Sequence, residues 1–125
     1  MNWLLVFVGG GLGSVSRYGV SKLVASNFSQ INPYATFVSN LLATAILAIL
    51  MFSFSREFYT STNFRLLFAT GFCGGFSTFS TFSYETFQLI KMQHYLLAAT
   101  NVIVSVLAAL LMIYLIYKNN QLIVN

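Results

Sequence analysis

Aspartate is absent from this chain, and glutamate occurs only at Glu57 and Glu85. Histidine, cysteine, proline and tryptophan each occur once. With Cys73 as the lone cysteine, no intramolecular disulfide can form. One His, one Cys and two Glu do not suffice for a side-chain zinc site or a nucleophilic triad, which disfavours an enzyme. Charged residues make up 6% of the 125 positions, against about 25% in a soluble domain. The six Lys and Arg give a net charge of +4 but are spread singly, so nucleic acid is excluded as a partner. The first residues carry no positive n-region and no cleavage site, so no removable signal peptide is expected.

Apolar residues fill the space that charge vacates, at 58% of the chain. Crossing a bilayer takes about 20 mostly apolar residues. Four stretches qualify, at 4–24, 34–54, 64–90 and 95–117. The links between them are short, holding Pro33, then Arg56 and Glu57, then residues 91–94, so sequential helices are expected to be antiparallel neighbours. The expected fold is an all-α membrane protein of four transmembrane helices, with residues 1–125 as one domain. It is expected to sit in the cell membrane as a multi-pass protein, among lipid.

The third stretch is the unusual one. Gly71, Gly74 and Gly75 oppose a continuous helix, since each glycine costs about 1 kcal/mol against alanine. Hydroxyls follow at Ser77, Thr78, Ser80 and Thr81, threaded with Phe72, Phe76, Phe79 and Phe82. A helix that merely sits in lipid reads Leu, Ile and Val. This one is expected to be broken in mid-membrane, where irregular backbone is tolerated only if it is buried in protein or lines a wet cavity. The break marks a permeation path or an ion site. Its freed carbonyls are suitable ligands for Na⁺. If Phe79 and Phe82 follow the break on helix, their spacing puts both rings on one face.

Other polar positions have two readings each. Gly9 and Gly13 let a second helix approach closely. Arg17 either snorkels to the interface or makes a pore mouth attractive to anions. Asn40 is either a structural hydrogen bond across helices or a pore-lining donor, and Thr44 shares its face one turn on. Asn101 and Ser105, spaced i, i+4 with Ala109 beyond, form either a hydrogen-bonded seam or a wet stripe. Glu85 reads as interfacial, paired with a basic residue. Tyr95, Tyr114 and Tyr117 read as interface anchors. His94 has no assigned role, and the tripeptide Asn27-Phe28-Ser29 is discounted as a chance glycosylation match.

Basic residues balance across the expected topology. Arg56, Arg65 and Lys118 fall on one side; Lys22, Lys91 and, snorkelling forward, Arg17 fall on the other. The positive-inside rule then sets no orientation. A chain without bias inserts both ways, and two opposed copies pair about an axis in the membrane plane.

The run from Gly71 to Phe82 closely resembles the signature of the fluoride channel family called CrcB or Fluc. Residues 9–18, ending Gly-Ser-Val-Ser-Arg-Tyr, resemble its first-helix motif, and residues 33–40 its second. The resemblance spans the chain in length, span number and motif order. It implies an antiparallel, dual-topology homodimer with two fluoride pores and a structural Na⁺ at the dimer centre. By motif position it implies Na⁺ ligation by the backbone carbonyls of Gly74 and Ser77. It implies Phe79, Phe82, Ser80, Thr81, Asn40 and Arg17 along the fluoride path, with Asn101 and Ser105 as a fourth-helix polar track. Ala35 stands where the family often has Gly, and Ser77 where it often has Thr; a carbonyl ligand is indifferent to the latter. The implied activity is passive, fluoride-selective conduction out of the cell across a bacterial inner membrane. A small dual-topology multidrug exporter is the alternative, but it needs a membrane-buried acid, which the first span lacks. A purely structural subunit would not need the break.

Overall fold

The computed structural model describes residues 1–24, 32–54 and 60–124. The Asn27-Phe28-Ser29 tripeptide and the Arg56-Glu57 link lie outside the described residues. Everything described is helical or a short connection between helices. Helix α1 spans Asn2–Val24 and α2 spans Pro33–Phe52. Helix α3, residues 62–76, has an α-helical turn at each end and wide π-type turns over Arg65–Cys73 between them. Helix α4 spans Phe79–Lys91 and α5 spans Tyr95–Val124. At 1.5 Å per residue, α2 is about 30 Å long, the thickness of a hydrocarbon core, whereas α4 at about 20 Å is too short to cross alone. Helices α2 and α5 are each long and apolar enough to cross a membrane.

The starts and stops follow from local chemistry. Pro33 opens α2, where its missing N–H costs nothing, and Asn32 caps the turn by accepting from the Ala35 N–H at 3.1 Å. Helix α4 ends on Gln93, whose φ of 63° turns the chain left-handed. The His94 N–H then reaches the Leu89 carbonyl and the Gln93 N–H the Ile90 carbonyl, both at 2.9 Å, closing the helix before α5 begins.

The three glycines of the third stretch do not break the helix. Gly71, Gly74 and Gly75 all lie within helical turns, and no glycine among the described residues has a positive φ. The helix ends after Phe76, at Ser77 and Thr78, both extended. Two of the glycines serve contact instead. A Cβ on Gly71 would lie 3.0 Å from the Gly9 Cα, and one on Gly75 would lie 2.3 Å from the Gly10 carbonyl oxygen. From the other side, a Cβ on Gly9 would meet the Leu67 carbonyl at 2.0 Å, and one on Gly13 the Phe72 carbonyl at 2.1 Å. Helices α1 and α3 therefore meet backbone to backbone, as small residues allow when lipid supplies no hydrophobic drive between helices.

Helix α2 packs against α5 as well as α1. The buried apolar side chains among the described residues are mostly small: Ala35, Ala43, Ala48 and Ala98, with Leu50, Cys73 and Phe76. Much of α5 stays exposed and apolar, as at Leu96, Ile103, Leu107, Leu110 and Leu115. Such a surface suits lipid or another protein chain.

The glycine contacts yield a sharp contrast. Gly9→Ala should destabilise the fold by more than about 2 kcal/mol, because backbone must shift to admit the methyl. Gly11→Ala meets nothing within 4 Å and should be neutral or mildly stabilising. Thermal unfolding of the two variants in one detergent checks this; equal midpoints would show that the α1–α3 crossing tolerates a side chain.

Candidate functional site

The interruption at Ser77 and Thr78 gathers a cluster of polar side chains, Asn40, Thr78, Ser80 and Thr81. Asn40, on α2, spans it. The Thr78 N–H donates to Asn40 Oδ1 at 2.7 Å, and Asn40 Nδ2 donates to the Thr78 carbonyl at 3.3 Å. One carboxamide thus pairs with both backbone groups of the residue in the gap, as a neighbouring strand would. It keeps one N–H hydrogen uncommitted to that pairing. Thr44 supports it from one turn below, its hydroxyl donating to the Asn40 carbonyl at 2.8 Å.

Thr78 also caps α4. Its Oγ1 accepts from the Thr81 N–H at 3.2 Å, the bond that an N-cap threonine makes. The same oxygen donates to Thr81 Oγ1 at 3.0 Å and lies 3.3 Å from Ser80 Oγ. In an unbroken helix the N–H groups of Thr78 and Thr81 would go to the carbonyls four residues back, on Gly74 and Ser77. Asn40 and Thr78 Oγ1 divert both. The two carbonyls are left without helical partners, and no other donor reaches them among the described residues. The Ser77 hydroxyl turns away, donating to the Cys73 carbonyl at 2.9 Å. Two unclaimed backbone oxygens on one short strip are the donor type that a small hard cation takes, so the residues present fit Na⁺. Gly74 is exposed, and a Cβ on it would meet nothing within 4 Å of this chain.

Aromatic rings flank the gap on both sides. Phe72 and Phe76 pack edge to face at 5.7 Å, and Phe79 and Phe82 tilt together at 5.8 Å. Phe79 is 80% exposed in the single chain. Ser80 is exposed and Thr81 half-buried beside it.

The remaining sequence candidates are placed unevenly around this cluster. Asn101 reaches it through a relay: its Nδ2 donates to Thr86 Oγ1 at 2.9 Å, and Thr86 donates to the Phe82 carbonyl at 2.8 Å. Asn101 and Ser105 line one groove of about 540 Å³, with Pro33, Phe37 and Met92 among its walls. Arg17 stays apart; no hydrogen bond joins its guanidinium to the cluster, although its carbonyl accepts from the Ser21 hydroxyl at 3.0 Å.

Glu85 corrects an expectation. It is 4% exposed, and no basic side chain pairs with it among the described residues. Its Oε1 accepts from the Asn32 N–H at 3.3 Å, tying α4 to the start of α2, while Oε2 is buried without a partner. A basic partner was expected from its position along the helix, but the start of α2 covers it instead.

Sequence reasoning named Thr78 only as one of four hydroxyls, without a role of its own, and passed over Thr86. Thr78 carried a usable signal, since threonine is a favoured N-cap residue. Thr86 carried none, because its importance comes from a residue on another helix.

Residues 4–117 match the profile of the CrcB-like family, described as "CrcB-like protein, Camphor Resistance (CrcB)". A protein of Methanococcus aeolicus named fluoride-specific ion channel FluC is 40% identical over 111 residues, covering 89% of this chain and 88% of its own. Proteins of the same name from Pyrococcus abyssi and Coxiella burnetii are each 43% identical. They align over 114 and 107 residues, covering 90% and 85% of this chain and 89% and 86% of their own.

The pairing across the gap is directly measurable. Asn40→Ala should leave the Thr78 N–H without its acceptor and raise its hydrogen-exchange rate by at least about tenfold, the scale of one lost bond to a buried group. Amides in α1 should not change. Unaltered exchange at Thr78 would mean that something other than Asn40 protects it.

Proposed function

Because this chain belongs to the CrcB-like family, we propose that it is a fluoride-specific ion channel, a membrane protein and not an enzyme. The observation that carries this reading is the 40–43% identity to proteins named as fluoride channels, over nearly the whole of each chain. The local architecture supports it. The gap in the third span places amide, hydroxyl and ring-edge donors beside one another, and all three suit a small anion.

Fluoride holds its water tightly, so a selective path must replace that water with donors. The spare N–H of Asn40 and the O–H of Thr81, backed by Ser80, supply hydrogen bonds. The edges of Phe79 and Phe82 carry partial positive charge from the ring quadrupole. Asn101 and Ser105 extend the polar lining along α5, and Arg17 raises the local anion concentration near one mouth. Conduction is passive, down the fluoride gradient, and a membrane voltage negative inside drives the anion outward.

In this reading the working unit is an antiparallel homodimer of dual topology in a bacterial inner membrane, each subunit a single four-helix domain of residues 1–125. The third span is broken at mid-membrane. The carbonyls of Gly74 and Ser77 from two copies hold a structural Na⁺ on the axis. When bound, the ion satisfies oxygens that the low-dielectric interior would otherwise leave bare. The burial of Glu85 meets one requirement of a proton-coupled exporter, but the relatives carry no such name, and the channel reading stands.

Two measurements test the proposal. Liposomes holding the purified chain should release fluoride and retain chloride, and Phe79→Ile or Phe82→Ile should lower fluoride release while assembly persists. Equal release of both anions would remove the selectivity claim. Separately, Gly74→Leu should leave the single chain folded, since nothing in it crowds that position, yet abolish dimers and the dependence of flux on Na⁺; Ser77→Ala should keep both. A Gly74→Leu protein that dimerises normally would take the shared cation site away.

A further inference from the structure

Three hydroxyls meet at the start of α4, and their hydrogens can be counted. Thr78 Oγ1 donates to Thr81 Oγ1 at 3.0 Å and accepts from the Thr81 N–H at 3.2 Å. It also lies 3.3 Å from Ser80 Oγ. A hydroxyl owns one hydrogen and two lone pairs. The Thr78 hydrogen goes to Thr81, so the contact with Ser80 must use the Ser80 hydrogen and fills the second lone pair of Thr78. The hydrogen of Ser80 is then spent. That of Thr81 is not, because no acceptor takes it among the described residues.

We infer that Thr78 is a positioning residue: its hydroxyl holds Ser80 and Thr81 so that Thr81 alone presents an O–H to the passing anion. The inference rests on the reading that the chain conducts fluoride past these two hydroxyls. Thr78 is built for the task. It is buried, its backbone is held at both polar groups by Asn40, and its β-branched side chain has few rotamers to visit. Ser80 is exposed and has none of these restraints. A hydrogen bond received by Thr81 also polarises its own O–H, which strengthens it as a donor in a low-dielectric setting. Ser80 serves as the backing hydroxyl and meets the anion only through Thr78.

Fluoride and chloride flux from liposomes holding the full chain tests this, with assembly checked by size-exclusion chromatography. Thr78→Val keeps the shape and removes the hydroxyl; it should cut fluoride flux at least about tenfold, the cost of about one lost hydrogen bond. Thr78→Ser should restore most of that flux. Thr81→Val should lose more flux than Ser80→Ala, and adding Thr78→Val to Thr81→Val should cost little further. A residue with only a folding role would not produce rescue together with that order. Wild-type flux in Thr78→Val, or a larger loss in Ser80→Ala than in Thr81→Val, would overturn the inference. If Thr78→Val does not assemble, the order of the other two variants decides by itself. A wild-type chain that passes no fluoride would instead remove the underlying channel reading, which the first lane of the same assay reports.

Discussion

A backbone that leaves its helix inside a protein must find a partner for every N–H and carbonyl it exposes, because a buried polar group left bare is costly. That constraint organises this chain. The helix stops at Phe76 and restarts at Phe79; of the two residues between, Ser77 still returns its N–H to the Cys73 carbonyl, and Thr78 is satisfied from α2. Asn40 supplies an acceptor and a donor to Thr78, and Thr78 supplies the cap to the next helix. The N–H groups so engaged no longer serve the carbonyls of Gly74 and Ser77. The same few bonds that make the break tolerable also create two oxygens with nothing to hold, so the support and the proposed ion site share one origin.

The break needs a stable base, which the α1–α3 crossing provides. Gly9, Gly13, Gly71 and Gly75 let two backbones touch, and a rigid limb brings Phe76 to the edge of the gap. On the other side α2 carries Asn40 and is fixed at its start by Asn32 and Glu85. The gap is thereby held between two supports that contact each other, while α5 adds the outer wall through Asn101 and Thr86.

The helical class, the apolar stretches and the close approach at Gly9 and Gly13 were legible in the sequence, because composition and glycine spacing report on solvent and contact directly. The location of the interruption was not. Glycine was read by its backbone freedom, whereas here it serves by lacking a side chain, and the chain departs from helix one turn later, where hydroxyls and Asn40 can satisfy it. Asn40 stood out as a polar residue in an apolar span, but its target on a residue 38 positions away was invisible. The partner of Glu85 was missed for the same reason: position along one helix says nothing of what a second helix lays over it. The Thr86 link to Asn101 is likewise a property of two helices together.

The wide turns over Arg65–Cys73 carry one further consequence. A π-type turn holds more residues than an α-turn, and it amounts to an insertion accommodated without a loop. Deleting a single residue there would let the segment relax to ordinary α-helix, a change that local propensity favours. The extra residue of a wide turn is taken up without turning the flanking helix, so its loss and the return to α-helix largely offset one another. Gly75 would keep its place against α1, and Thr78 its place against Asn40. A gain of one residue has no such outlet in turns that are already wide. This segment should therefore tolerate the loss of a residue better than the gain of one.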